Sequence, residues 1–160
     1  MNYSILRYGS LYGPRSNDKN GVYKILFDVI KNKKLHYFGD PNSRREFIHV
    51  LDAAKSTYEI MKNKDLDNKT VTITGSETIL MRDLLLLISE ILKIKNKKIT
   101  FGKKKYAGHY KITPYQKSLD YNLKYFPSTN IELSYGLLRL ASEISIEINN
   151  KKKNWNNIDI

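Results

Sequence analysis

A chain of 160 residues is of ordinary single-domain size, and 41% hydrophobic residues supply a core and argue against wholesale disorder. The absence of cysteine excludes a disulfide framework, a thiolate metal site and a cysteine nucleophile, and fits a reducing cytoplasm. A net charge of +12 and a pI near 9.7 raise the prospect of a nucleic-acid partner. The distribution speaks against it. The basic residues are mostly lysine, and arginine occurs only at Arg7, Arg15, Arg44, Arg45, Arg82 and Arg139. The lysine clusters at 95–98, 103–105 and 151–153 share no helical face and read as solvated surface. A weaker reading is a positive field that attracts anionic ligands such as diphosphates. No basic-then-apolar leader opens the chain and no apolar run reaches membrane-span length, so a cytoplasmic location is expected.

Taken in order, Tyr3 to Tyr8 reads as a short strand and Gly9 to Asn20 as a loop broken by Gly13-Pro14. Val22, Ile25, Leu26, Val29 and Ile30 follow the spacing of an amphipathic helix. Leu35 to Phe38 reads as a strand ended by the turn cluster 39–43, and Phe47 to Val50 as a second extended piece. Asp52 fits the N-cap of a helix over Ala53 to Lys62. Thr70 to Thr74 is rich in β-branched residues and reads as a strand stopped by Gly75. Leu80 to Leu92 carries the strongest helical pattern. Ile99 to Phe101 reads as a strand, and Leu119 to Phe126 and Ile131 to Ile148 as helices. One domain over 1–148 and a polar, flexible tail over 149–160 are expected, with no internal repeat.

Two motifs carry functional information. The first is Arg7-Tyr8-Gly9-Ser10-Leu11-Tyr12-Gly13-Pro14-Arg15. The second is Tyr37-Phe38-Gly39-Asp40, four residues, then Arg45-Glu46-Phe47-Ile48-His49-Val50-Leu51-Asp52. In this order and spacing they resemble the second half of the extended short-chain dehydrogenases, the NAD-dependent nucleotide-sugar epimerases and dehydratases. The resemblance implies an α/β fold: the C-terminal part of a Rossmann-type sheet plus the small α/β substrate-binding domain, with the N-terminal NAD-binding half absent.

It also implies roles. Arg45 is the fork on a substrate diphosphate, a task that suits a planar guanidinium. The alternative for Arg45 is a surface pair with Glu46 or Asp52. Ser10 stands where the family has an asparagine beside the diphosphate, so a hydroxyl replaces an amide. Tyr37 and Phe38 edge the nucleobase pocket. Lys111 is the nearest cation to the position of a second family arginine and offers a point charge without a fork.

The family's chemistry needs a glycine-rich turn against the NAD pyrophosphate and a Tyr and Lys four apart on a helix. The eight glycines are dispersed, and the one Tyr–Lys spacing of that kind, Tyr58 to Lys62, lies on the wrong side of the arginine motif. No catalytic, cofactor-binding or metal residue is therefore assigned, and His36, His49 and His109 lack metal-ligand spacing. The expectation is a substrate-binding half, inactive alone and needing no cofactor of its own, while NAD serves the complete enzyme. Its partners would be a nucleoside-diphosphate sugar, held weakly, and either a separately encoded N-terminal half or a second copy of itself. Two rival readings stand beside it. One is a structural or regulatory remnant of the same family, favoured mildly by Ser10 and Lys111 and opposed by Arg45. The other is a basic nucleic-acid-binding module, which needs clustered arginines and aromatic platforms that the sequence lacks.

Overall fold

The computed structural model describes residues 1–95, 99–102 and 122–156. The chain opens with β1 (Ile5–Tyr8) and β2 (Ser10–Tyr12), then α1 (Gly21–Asn32), β3 (Leu35–Tyr37), β4 (Arg44–Arg45) and β5 (Phe47–His49). It continues with α2 (Val50–Lys62), a 3-10 turn (Lys64–Leu66), β6 (Thr70–Ile73), β7 (Ile79–Leu80), α3 (Met81–Ile91), β8 (Ile99–Phe101), β9 (Asn122–Tyr125) and α4 (Leu133–Asn156). Among the described residues no helix is long and apolar enough to cross a membrane.

The strands form one three-stranded parallel sheet in the order β1-β6-β9, and three short pairs. β2 pairs with β5 and β3 with β8, both parallel, while β4 pairs antiparallel with β7. The α/β class with parallel strands agrees with the sequence expectation.

Two cores result. Val71 and Ile73 of β6, Ile48 of β5 and Ala53 and Ile60 of α2 form one, against Leu6 and Tyr125 of the flanking strands. The larger core joins α1, α3 and α4 through residues such as Leu26, Leu84, Ile88, Leu137 and Ile144. α1 forms because its apolar residues repeat at helical spacing and both ends are capped. Asn20 accepts hydrogen bonds from the Val22 and Tyr23 amides at 3.1 Å, satisfying two orphan donors. Lys33 takes a left-handed conformation and its amide bonds the Val29 carbonyl at 2.8 Å.

The chain changes neighbours at Gly9. Its amide bonds the Ile73 carbonyl at 2.8 Å, whereas the next amide, of Ser10, bonds the Glu46 carbonyl at 2.9 Å. The switch from β6 to β5 as partner requires close approach. A Cβ on Gly9 would lie 2.4 Å from the Thr74 hydroxyl, and one on Gly75 would lie 2.0 Å from the Phe47 carbonyl oxygen.

Four expectations are corrected. Residues 122–125 form strand β9, not part of a helix over Leu119 to Phe126; residues 119–121 lie outside the described residues. Val71 and Ile73 of β6 are fully buried, and β9 supplies the strand that pairs beside them. Local helix propensity yields to that pairing. Second, the segment read as a loop over Gly9 to Asn20 contains β2, because Ser10 to Tyr12 find partners in β5. Third, α2 starts at Val50, and His49 caps it by accepting from the Leu51 amide at 3.3 Å. Asp52 lies inside the first turn and accepts the Ile131 amide at 2.8 Å instead, which anchors the entrance to α4. α4 itself runs on to Asn156, beyond Ile148 where the sequence pattern ended. Lys111 to Tyr115, which by resemblance match the family's late substrate-pocket strand, lie outside the described residues.

The tight approach at Gly75 makes a test. Gly75→Ala should destabilise the fold by about 3 kcal/mol, at the upper end for overpacking, because the obstacle is backbone. Urea unfolding followed by circular dichroism measures it. A loss under about 1 kcal/mol would mean that β5 is not held against this turn.

Candidate functional site

β5 and the residues before it alternate between two sides, as an extended chain must. Arg45 and Phe47 line a cavity of about 800 Å³. Glu46 and Ile48 turn the other way, into the protein.

Glu46 is only 3% exposed, and three groups satisfy its carboxylate. Thr74 donates at 3.0 Å, Thr78 at 3.2 Å, and the Lys124 ammonium lies 3.0 and 3.1 Å from the two oxygens. A buried charge is tolerable only when paired and hydrogen-bonded in this way. Glu46 is thus committed to Lys124, and Asp52 to the Ile131 amide and the Thr129 hydroxyl. Among the described residues, no salt bridge joins Arg45 to Glu46 or Asp52.

Arg45 is held by its backbone. β4 pairs it with Ile79, and the preceding Ser43, fully buried, accepts the Met81 amide at 2.9 Å. Its guanidinium donates to the Arg44 carbonyl at 2.7 Å. The turn before it is fixed by Asp40, whose carboxylate accepts the Asn42 amide at 2.9 Å and whose carbonyl accepts the Ser43 hydroxyl at 2.8 Å.

Ser10, Tyr37, Phe38 and Arg45 all line this one cavity. They come from three separate segments, and the structure brings all four together. Lys111 lies outside the described residues. Phe38 is exposed, and the His36 ring stands edge-on to it at 4.2 Å between centroids. His36 Nδ1 lies 2.5 Å from the Thr100 hydroxyl.

Sequence reasoning missed the opposite wall. One flank of α1 contributes Gly21, Lys24, Ile25 and Asp28, with Lys19 just before the helix. The signal was the spacing 21, 24/25, 28, which is one helical flank beside the buried stripe. The walls are mainly apolar, with three cations and one carboxylate added, the composition of a site for an organic anion.

Tyr58 and Lys62 are not part of this cavity. Tyr58 is exposed on α2, and the Lys62 ammonium rests 4.3 Å above its ring. None of the strand-to-helix turns entering α1, α2 or α3 carries the three closely spaced glycines that bring backbone amides against a dinucleotide pyrophosphate. The N-terminal amides of Val22 and Tyr23 in α1 already bond Asn20. Among the described residues, these turns thus lack that glycine pattern. Among them, no group of three His, Asp or Glu could hold a metal ion.

Residues 1–74 match the model of the NAD dependent epimerase/dehydratase family. A putative UDP-glucose 4-epimerase of Methanocaldococcus jannaschii is 40% identical over 82 residues, 49% of this chain and 26% of that protein. The UDP-glucuronic acid 4-epimerase of Bacillus cereus, solved with UDP-glucuronic acid and NAD, is 25% identical with a TM-score of 0.72, over 90% of this chain and 45% of that one. The UDP-glucose 4-epimerase of Thermotoga maritima, solved with UDP-glucose, has the same fold at 21% identity, with a TM-score of 0.72 over 92% of this chain and 47% of that one. Just under half of this chain thus matches the NAD dependent epimerase/dehydratase family, and its fold resembles that of solved nucleotide-sugar epimerases. It spans 26% of its curated relative and less than half of each of these solved neighbours.

Beside the cavity, His49 is 2% exposed and packs edge-on to Tyr12 at 5.3 Å. Burial holds its imidazole below the ordinary value; Asp52 pushes the other way and Arg139 adds to the lowering. The folded state thus favours neutral His49, and the unfolded chain takes up the proton first as pH falls. Its contribution is complete above about pH 7 and is lost as pH drops through the ordinary histidine value of about 6.5. Melting temperature should fall between about pH 7 and 5, and His49→Asn, which keeps a capping oxygen, should flatten that fall. An unchanged slope in the variant would remove His49 as its source.

Proposed function

We propose that this chain is the substrate-binding half of an NAD-dependent nucleotide-sugar epimerase or dehydratase, and that it performs no chemistry alone. The observation that carries this reading is the convergence of Ser10, Tyr37, Phe38 and Arg45 on one cavity. Arg45 forks the diphosphate, and its guanidinium presents planar donors to two phosphate oxygens. The Ser10 hydroxyl donates one further bond. Tyr37 and Phe38 give the base an aromatic edge, and Lys111 adds a point charge. NAD, bound to an N-terminal half, takes and returns the hydride at a sugar carbon. This chain fixes the substrate's phosphates and base so that the sugar points away from them.

Calorimetric titration with nucleoside-diphosphate sugars should show binding that Arg45→Ala weakens by about 1.5–3 kcal/mol, the range for hydrogen bonds to a charged group. Equal binding by the variant would take Arg45 out of the site. No binding by the parent would favour a structural remnant.

The proposal extends to partners. β1 is the outermost strand of its sheet among the described residues. Ile5 is about half exposed on it. An uncovered strand edge recruits another chain. The net charge of +12 opposes self-association, but screening limits that repulsion to about 8 Å at physiological salt. Sedimentation should show association that increases with salt and is relieved by co-expression with an N-terminal half of the family. A sharp monomer at low and high salt would mean that the edge is already covered.

A further inference from the structure

The C-terminal ends of α1 and α3 open on a second cavity, of about 440 Å³, lined by Lys33, Leu92, Lys93, Ile94 and Lys95. It shares no lining residue with the cavity around Arg45. Leu92 and Ile94 are half-buried and pack against the larger core. The three lysines are exposed, and none forms a salt bridge among the described residues. No carboxylate of the described residues lines the cavity.

Both helix ends are built in the same way. Lys33 has a φ of 55°, and its amide bonds the Val29 carbonyl at 2.8 Å. Lys93 has a φ of 52°, its amide bonds the Glu90 carbonyl at 3.1 Å, and the Ile94 amide bonds the Ser89 carbonyl at 2.7 Å. Each lysine thus takes the left-handed position that closes a helix. Glycine is the usual residue there, because a β-carbon is disfavoured in that conformation. The same bonds fix where each side chain leaves the backbone.

The helix macrodipole alone favours a cation at a helix C-terminus. It does not account for this arrangement. In α1, Lys31 already serves that end from within the last turn. Each dipole amounts to about half a negative charge, so three lysines at two helix ends leave an excess of about two positive charges. We infer that this cavity is a second anion site, and that it takes an organic phosphate. The phosphate lies against Lys33, Lys93 and Lys95, and the adjoining carbon part lies on Leu92 and Ile94. An ammonium is a point charge with three rotatable donors, which suits a tetrahedral phosphate approached from several directions. The apolar floor offers burial that an inorganic ion cannot use. This site is independent of the diphosphate reading of the Arg45 cavity.

The probe is hexyl phosphate, a phosphate monoester with a short hydrocarbon chain. It is titrated calorimetrically into the full chain carrying Arg45→Ala, which weakens the other cavity. Hexyl phosphate should bind about tenfold more tightly than inorganic phosphate, the scale of burying roughly two methylene groups. Lys33→Gly with Lys93→Gly should weaken it about tenfold, the scale of two exposed charge contacts. The melting temperature should hold or rise, because glycine relieves both left-handed positions. Lys33→Gln with Lys93→Gln keeps both β-carbons and should lose as much affinity. Lys55→Gln with Lys64→Gln removes the same charge elsewhere and should change affinity less than about twofold, since screening limits its reach. Phosphatidylcholine vesicles doped with phosphatidic acid separate the two sources of this chemistry. Co-sedimentation that needs Lys33 and Lys93 and is displaced by hexyl phosphate assigns the site to a lipid headgroup. Binding of hexyl phosphate without vesicle binding assigns it to a soluble ester. Equal losses in the Lys33/Lys93 and Lys55/Lys64 variants would reduce the cavity to the general positive field and overturn the inference. Equal affinity for hexyl and inorganic phosphate, or no binding of hexyl phosphate before the lysines are changed, would overturn it as well.

Discussion

The strand from Arg45 to His49 is the constraint on which the rest of the molecule depends. It is the wall between two cores, and its alternation gives each side a different chemistry. Phe47 packs toward the helical core and lines the cavity, while Ile48 belongs to the core under the parallel sheet. Glu46 fixes the position of the wall. Its carboxylate binds Thr74 and Thr78, at the end of β6 and beyond it, and Lys124 on β9. A buried carboxylate that loses one such partner strands its charge, at a cost of about 3–5 kcal/mol when burial is complete. Lys124 keeps contact with water, so the loss here is smaller, but the geometric demand is the same. Gly9 and Gly75 complete the arrangement by leaving room for the Glu46 and Phe47 backbone.

This construction keeps Arg45 apart from Glu46. An arginine next to a glutamate in sequence invites an ion pair, which would neutralise it. The extended backbone sends the two side chains to opposite sides, and Glu46 finds its cation from another strand. The β4 pairing with Ile79 and the buried Ser43 then set where the guanidinium starts. The cation is placed by backbone hydrogen bonds, which cost no side-chain entropy.

Much of this was legible in the sequence. The amphipathic spacing of α1 and α3, the β-branched run of β6 and the short strands β3 and β8 all appear where local pattern placed them. Arg45, Ser10, Tyr37 and Phe38 were legible as a set because two motifs kept their order and spacing. What escaped depended on contacts distant in sequence. β2 and β9 are strands only because β5 and β6 pair with them, and neither segment has a strong β pattern of its own. His49 outcompetes Asp52 as the cap of α2 because Asp52 is drawn to Ile131, a residue far along the chain. The cavity flank of α1 escaped as well, since a helical wheel shows which flank is polar but not what stands across from it.

The same distinction separates the two electrostatic effects at work. The net charge of +12 is visible in composition and attracts every anion alike, over a range of about 8 Å at physiological salt. It can raise the capture rate of any nucleotide and cannot choose among them. Choice requires groups in direct contact, where two charges 4 Å apart interact by about 1 kcal/mol in water and about 4 kcal/mol near a protein surface of lower effective dielectric. The charged side chains that line this cavity are Lys19, Lys24, Arg45 and Asp28.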